Sequence, residues 1–354
     1  MLAFLMHLGW DLIVHDSSSR EDKSGLGSSV LSGFTFILGF LIVFRSQQAY
    51  LRWWEGGTLM QQLRGEWFNA YSSCIAFLNS SEEMQPQVQK FMHQLARLTS
   101  MLYGSALTEV SEMQDNSFDF LELEGFSVES LEFLHTCNNK CEIVLQWIQR
   151  LVHEASRTGV ILVEPPILSR VYNQLGNGIV LLNNAQKLNA FPIPFPLAQM
   201  ITVMLLLHWV LTATVTATAV QSRYWAGFIS FVVIFAFWCI HYIAVELEQP
   251  FGDDVNDLPL IEMQKDLNAS LRDLLSDQAR FPPGFDFDAE HHTRLESNKV
   301  SLHNYISAMS SKSLTDACAS SISGGKASGA GDAPAIIATA SAAEGAATSG
   351  RRAA

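Results

Sequence analysis

Five acids, Glu246, Glu248, Asp253, Asp254 and Asp257, crowd into VELEQPFGDDVND (245–257), directly behind the uncharged apolar run AGFISFVVIFAFWCIHYIAV (226–245). Carboxylates at that density offer hard oxygen ligands of the kind Ca²⁺ requires. The same residues can instead end an apolar segment and cap the next helix, because a carboxylate at a helix N-terminus accepts its free N–H groups. On that second reading Asp253 or Asp257 caps a helix that begins near Asp257. His208 and His241 stand inside apolar runs, where an imidazole is either a proton-sensitive group facing water or a buried, hydrogen-bonded one. Cys74, Cys137, Cys141, Cys239 and Cys318 form no regular framework and read as free thiols. Cys137 and Cys141 are four apart, as on one helix face, yet no second pair follows to complete a zinc site. The sequence has no HExxH, no strand–turn–helix elbow carrying a nucleophile and no phosphate loop, the EGG of 55–57 being too short for one. No catalytic chemistry is expected.

The elements that must position these residues follow from composition. The chain has 354 residues, 48% hydrophobic and 16% charged, which points to a membrane. A net charge of −13 argues against nucleic acid as a partner, since binding to phosphates needs a surplus of Lys and Arg. Three runs, Gly25 to Phe44, Leu197 to Ala219 and Ala226 to Val245, contain no Asp, Glu, Lys or Arg and match the ~20 residues of a spanning helix. The opening MLAFLMHLGWDLIV is apolar but short, and lacks the basic start of a signal peptide. It reads as part of a further span whose beginning is missing from this chain.

Between the first full span and the second, residues 45–196 are rich in helix formers, with apolar positions such as Val144, Ile148, Leu151 and Val152 at helical spacing. This predicts a water-exposed helical domain, interrupted at Pro165-Pro166 and closed by the stiff FPIPFP (191–196). Arg45, Arg52 and Arg64 follow the first full span and place that domain on the cytoplasmic side or its organellar equivalent. The expected organisation is therefore a partial and a full membrane helix over 1–44 and the helical domain over 45–196. Two further membrane helices follow over 197–247, joined by QSRYW, then an acidic belt with an amphipathic segment over 248–317. The Ala/Gly/Ser tail over 318–354 carries too little apolar surface to fold.

Three motifs then stand in a fixed order relative to the spans: RSQQAYLRWWEGG (45–57), PIPFPLAQ (192–199) and EQPFGDDVNDLPL (248–260). Together they closely resemble the bestrophin family of anion channels over roughly residues 1–280. The resemblance implies an all-α, multi-pass membrane protein with four transmembrane helices per subunit and a helical cytosolic domain, assembled as a homopentamer around an axial pore. Its implied partners are chloride and other small anions, further copies of itself and membrane lipid, with bicarbonate an open alternative substrate. Counting back from Arg52 of the LRWW motif, the family's pore neck falls on Phe36, Phe40 and Phe44. Spacing of four stacks three phenyl rings along one stripe of a helix. Five copies would give three aromatic rings, whose positive edges suit an anion. Without the family, the same stripe reads as lipid-facing or packed on a neighbouring helix.

EPPILSR (164–170) resembles the family's cytosolic aperture and puts Ile167 there, the alternative being an ordinary core position. In calcium-gated members an acidic cluster joins an N-terminal carbonyl in clasping Ca²⁺, and the matching side chains here are Glu246, Gln249, Asp254 and Asp257. Gln249 and Glu246 depart from those members, and DDVNDLPL is more like the bacterial and plastid-type branch. No cofactor is required on this reading, calcium being the one candidate. Arg45 and Arg52 are candidates for drawing anions to the inner mouth, Arg52 alternatively pairing with Glu55 or stacking on an aromatic ring. Similarity to plastid-type and algal members makes the thylakoid membrane the preferred location and the plasma membrane the next. The rival function is a non-conducting membrane scaffold that binds a partner through its cytosolic helices.

Overall fold

The computed structural model describes residues 20–111, 118–252, 254, 256–288, 301–307 and 309–310, and all of its regular structure there is helical. The partial first span and the Ala/Gly/Ser tail lie outside the described residues. The described chain runs α1 Arg20–Ala76, a short 3₁₀ turn Glu82–Met84, α2 Gln85–Val110, α3 Val128–Thr136, α4 Lys140–Arg157, α5 Pro165–Ala190, α6 Phe195–Ala219, α7 Arg223–Glu248, α8 Leu260–Asp273 and α9 Asp277–Arg280.

α1 has 57 residues and no proline, so nothing interrupts its hydrogen-bond ladder, and it is about 85 Å long. The first full span and the first helix of the water-exposed domain are thus one rod, and the change of composition at Arg45 is not a break in structure. Leu38, Ile42, Arg45, Ala49, Met60, Leu63, Trp67, Tyr71 and Cys74 lie along its buried side, at spacings built from threes and fours. Three helices are long and apolar enough to cross a membrane: α1 from Ser29, α6 and α7. α6 and α7 form an antiparallel hairpin through Val220–Ser222, and Thr216 Oγ1 meets Ser230 Oγ at 2.5 Å across it. The hydroxyls of Thr202, Thr214 and Ser230 donate to carbonyls one turn back in their own helices, which satisfies them without water. Against α1, Leu38 and Ile42 pack with Ile201 and Leu205 in a small core of their own.

Below the membrane the larger core is built on the inner half of α1 by α2, α4, α5 and α8. α5 approaches α1 closely because Gly178 lies beneath the Trp67 indole, whose Nε1 donates to Leu175 O at 3.3 Å. Tyr103 meets the same indole edge-on. α8 is tied to α2 by a buried polar knot. Ser100 Oγ donates to Asn268 Oδ1 at 2.7 Å, Asn268 Nδ2 to Asp119 O at 2.7 Å, and Gln264 Nε2 to Ser100 O at 3.1 Å. The segment expected as one C-terminal region is therefore divided. α8 belongs to the first compact unit, which ends at Pro283, and residues from Gly284 onward form a second unit, with helical turns at 302–307 among its described residues.

Two local expectations are corrected. The helix after the acidic stretch begins at Leu260 behind Pro259, not near Asp257, and no side chain caps it. Proline fixes the approach geometry there, and the Asp257 carboxylate turns back into its own loop to accept from Asp254 N at 2.8 Å. Cys137 and Cys141 do not share a helix face, because Cys137 ends α3 and Cys141 is buried in the first turn of α4. Cys74, Cys137, Cys141 and Cys239 are all free thiols.

Candidate functional site

Phe36, Phe40 and Phe44 sit on the side of α1 turned away from α6 and α7, with 78%, 66% and 42% of their surface exposed in the single chain. The helix period explains this: α1 buries the face carrying Leu38 and Ile42, so residues two positions from these fall on the opposite side. Ile167 is in the first turn of α5, where Pro165 is pre-set for a helix start, and it too is exposed. In the single chain these four side chains form no cluster with one another, and the structure leaves all of them available to a neighbouring molecule, lipid or water.

Where α1 leaves the membrane, the ends of α5, α6 and α7 converge on it. Arg45 Nη2 donates to Glu248 Oε2 at 3.1 Å, with the two side chains only 7% and 14% exposed. The other oxygen, Glu248 Oε1, accepts Ile193 N at 3.1 Å, fixing the linker that leads into α6. Nη1 of Arg45 lies 3.4 Å from Nδ1 of the buried His241. Two turns further along α1, Arg52 gives Nε to Glu248 O at 3.2 Å, Nη1 to Phe191 O at 2.8 Å and Nη2 to Leu188 O at 2.5 Å. Those carbonyls are left over at the C-terminal ends of α5 and α7, where a cation is also favoured by the helix dipole. Arg52 is thus a double C-cap. Its guanidinium is engaged by carbonyls rather than by Glu55, and Arg45 is buried in its pair, so both cations are held within the chain.

The acidic stretch is held by its apolar residues. A Cβ at Gly56 would meet Phe251 at 3.1 Å, Pro250 at 3.2 Å and Leu258 at 3.4 Å, and one at Gly57 would meet Leu258 at 3.3 Å. The glycines of RWWEGG are the flat seat onto which the PFG and LPL ends of the acidic segment dock. Trp53 Nε1 pins the middle by donating to Asn256 O at 3.2 Å, and Leu258 N donates to Pro250 O at 3.0 Å. A Cβ at Gly252 would lie 2.5 Å from Asp257 Oδ2, so a larger residue there would displace that carboxylate.

Glu246, Gln249 and Asp254 point outward and Asp257 is half-buried. Among the described residues no three of His, Cys, Asp or Glu come close enough to hold a metal ion. Asp257 Oδ2 is already occupied by a backbone N–H.

Both histidines in the spans are buried. His208 Nε2 lies 3.1 Å from Thr35 Oγ1 and 3.3 Å from Thr212 Oγ1, with Phe34 and Phe237 against the ring. The residue that sequence reasoning underrated is Glu248, counted as one acid of five and in fact the joint between α1, the end of α7 and the linker into α6. A signal for it was present: Arg45 directly follows one uncharged run and Glu248 lies three residues beyond the end of another, so the two stand at a similar membrane depth.

Residues 2–273 match the family model of the bacterial/fungal bestrophin protein. The chain is 27% identical over 248 residues to a voltage-dependent anion channel-forming protein of Synechocystis sp., covering 68% of this chain and 75% of that protein. It is 26% identical over 258 residues to a protein of the same description from Nostoc sp., covering 71% of this chain and 78% of the relative. Its fold is shared with a crystal structure of a bacterial bestrophin homologue from Klebsiella pneumoniae, at a TM-score of 0.62 and 17% identity over 77% of this chain and 96% of the other. The uncharged helices that cross a membrane, the three motifs locked together at their exit and the match over residues 2–273 make this chain a membrane protein of the bestrophin family.

Proposed function

We propose that the protein is a homopentameric anion channel passing chloride, and bicarbonate beside it, through a neck formed by Phe36, Phe40 and Phe44. The observation that carries this reading is the exposed aromatic stripe on α1, set opposite a face that packs firmly on α6 and α7. The names of the Synechocystis and Nostoc relatives support anion conduction as the activity. Five such stripes facing an axis would make a constriction about 12 Å long from Phe36 to Phe44. An anion entering it loses part of its hydration shell and meets the positive edges of the phenyl rings, whereas a cation meets no compensating group. The same apolar walls let the neck close by losing its water. Ile167 forms a second, cytosolic constriction in this arrangement.

No step needs a cofactor, and calcium is not part of the conduction path. The membrane is the thylakoid in this reading, with the plasma membrane second. The test is a planar-bilayer recording of the purified protein under a KCl gradient, with calcium present and chelated. A reversal potential close to the chloride equilibrium value, equal in both conditions, supports the proposal. A potential near that of potassium, or no current from a protein shown to be pentameric, contradicts it and leaves the scaffold function.

A further inference from the structure

The exposed face of α1 does not stop at the neck. From Ser29 to Asn69 it runs through Gly33, Phe36, Phe40, Phe44, Gln47, Leu51, Trp54, Thr58, Gln62 and Gly65 without interruption, and Glu55 is the one charged residue on α1 over that length whose side chain is exposed. Gln47 is the first polar side chain beyond the aromatic stripe. At about 100° per residue it returns to within about 20° of Phe36, and it stands about 4–5 Å further along the axis than Phe44. Its neighbour Gln48, also exposed, is rotated about 80° away from the centre of the stripe. The Gln47 amide makes no hydrogen bond within the described residues, whereas Ser46 Oγ is used up on Ile42 O at 2.9 Å. The cations at this level are occupied as well, Arg45 by Glu248 and Arg52 by three carbonyls.

We infer that Gln47 is a selectivity-determining residue: a ring of its side-chain amides donates N–H groups to the anion as it leaves the phenylalanine neck. The inference rests on the channel reading given above. An anion inside an apolar constriction is short of hydrogen-bond donors, and the first ones it can regain on the inner side are these amides, each with two N–H groups. Being neutral, they hold the ion weakly enough to release it, which conduction requires. A donor ring favours anions that accept strong hydrogen bonds, chloride and bicarbonate, over weakly hydrated ones such as iodide and thiocyanate. The neck then separates anions from cations, and Gln47 sorts the anions.

The experiment is a bi-ionic permeability measurement on the full chain with Gln47→Leu and, as the off-stripe control, Gln48→Leu. Removing the donors is expected to raise the iodide-to-chloride permeability ratio about threefold or more while chloride conductance falls; Gln48→Leu leaves the ratio unchanged. As a second variant, Gln47→Cys exposed to a negatively charged methanethiosulfonate should lose most of its chloride current, with the wild type unaffected. Unchanged ratios in Gln47→Leu, or a Gln47→Cys current indifferent to the reagent, overturn the inference while a conducting wild type preserves the channel. A silent wild type overturns both.

Discussion

Replacing Glu248 by alanine removes the joint between α1, the linker into α6 and the end of α7. The carboxylate holds Arg45 at 3.1 Å and Ile193 N at 3.1 Å, and the pair is 7% and 14% exposed, so solvent cannot take its place. Losing one partner of a buried ion pair costs about 3–5 kcal/mol, most of it the uncompensated charge left behind. That charge here is Arg45, whose Nε is already buried without a partner. Glu248→Gln keeps one oxygen, enough for Ile193 N or for Arg45 but not for both, and turns an NH2 towards the other donor, so it should cost about 1–3 kcal/mol, less than the full truncation. Arg45→Met combined with Glu248→Gln removes the orphaned cation and should be more stable than Glu248→Ala. Thermal unfolding in detergent reads the series, with a midpoint fall of roughly 10 °C for Glu248→Ala. A fall equal to or smaller than that of Glu248→Gln would refute the joint.

Three further outcomes follow from named contacts. Gly178→Ala drives a methyl group into the Trp67 indole and should destabilise the water-exposed domain by about 1–3 kcal/mol in chemical unfolding, and an unchanged midpoint would contradict the packing of α5 on α1. Gly56→Val should unseat Pro250, Phe251 and Leu258 and make residues 248–260 faster to proteolyse, while a cleavage rate equal to wild type would show that the glycine seat does not hold them. Burial pushes the Glu109 carboxyl above its ordinary value, while the Cys141 N–H and the Gln186 amide pull the other way and Glu142 adds to the rise. The folded state then holds that proton more tightly than the unfolded chain. Glu109 therefore costs no stability below the unfolded value of 4.5 and progressively more as pH rises from there through the folded value. Glu109→Gln lacks this slope, so stability curves of the two proteins measured from about pH 4 to 8 should diverge in that sense. Parallel curves would contradict it.

The spans were legible because twenty uncharged residues in a row leave a helix few other places to be, and the helical domain because Val144, Ile148 and Val152 repeat at its period. What was not legible depended on partners remote in sequence. Arg45 looked like the start of a new domain because its charge follows an apolar run, but that charge is neutralised by a residue 203 positions away and α1 continues through it. Arg52 had an acid three residues on, yet the free carbonyls at two helix ends offer it three acceptors at once. The dense acids suggested a cation site, whereas the force that places them is the docking of Phe251 and Leu258 on Gly56 and Gly57, a contact between two motifs that the sequence shows only as separate strings.

The most direct test of the phenylalanine neck compares chloride efflux from liposomes carrying wild type, Phe40→Ala and Phe231→Ala. Phe231 is as exposed as Phe40, at 62% against 66%, but lies on α7. If Phe40 lines the pore, trimming its ring widens the constriction and efflux rises, while Phe231→Ala leaves it at the wild-type rate. Equal efflux from all three proteins would contradict the neck and return the α1 stripe to a lipid-facing role.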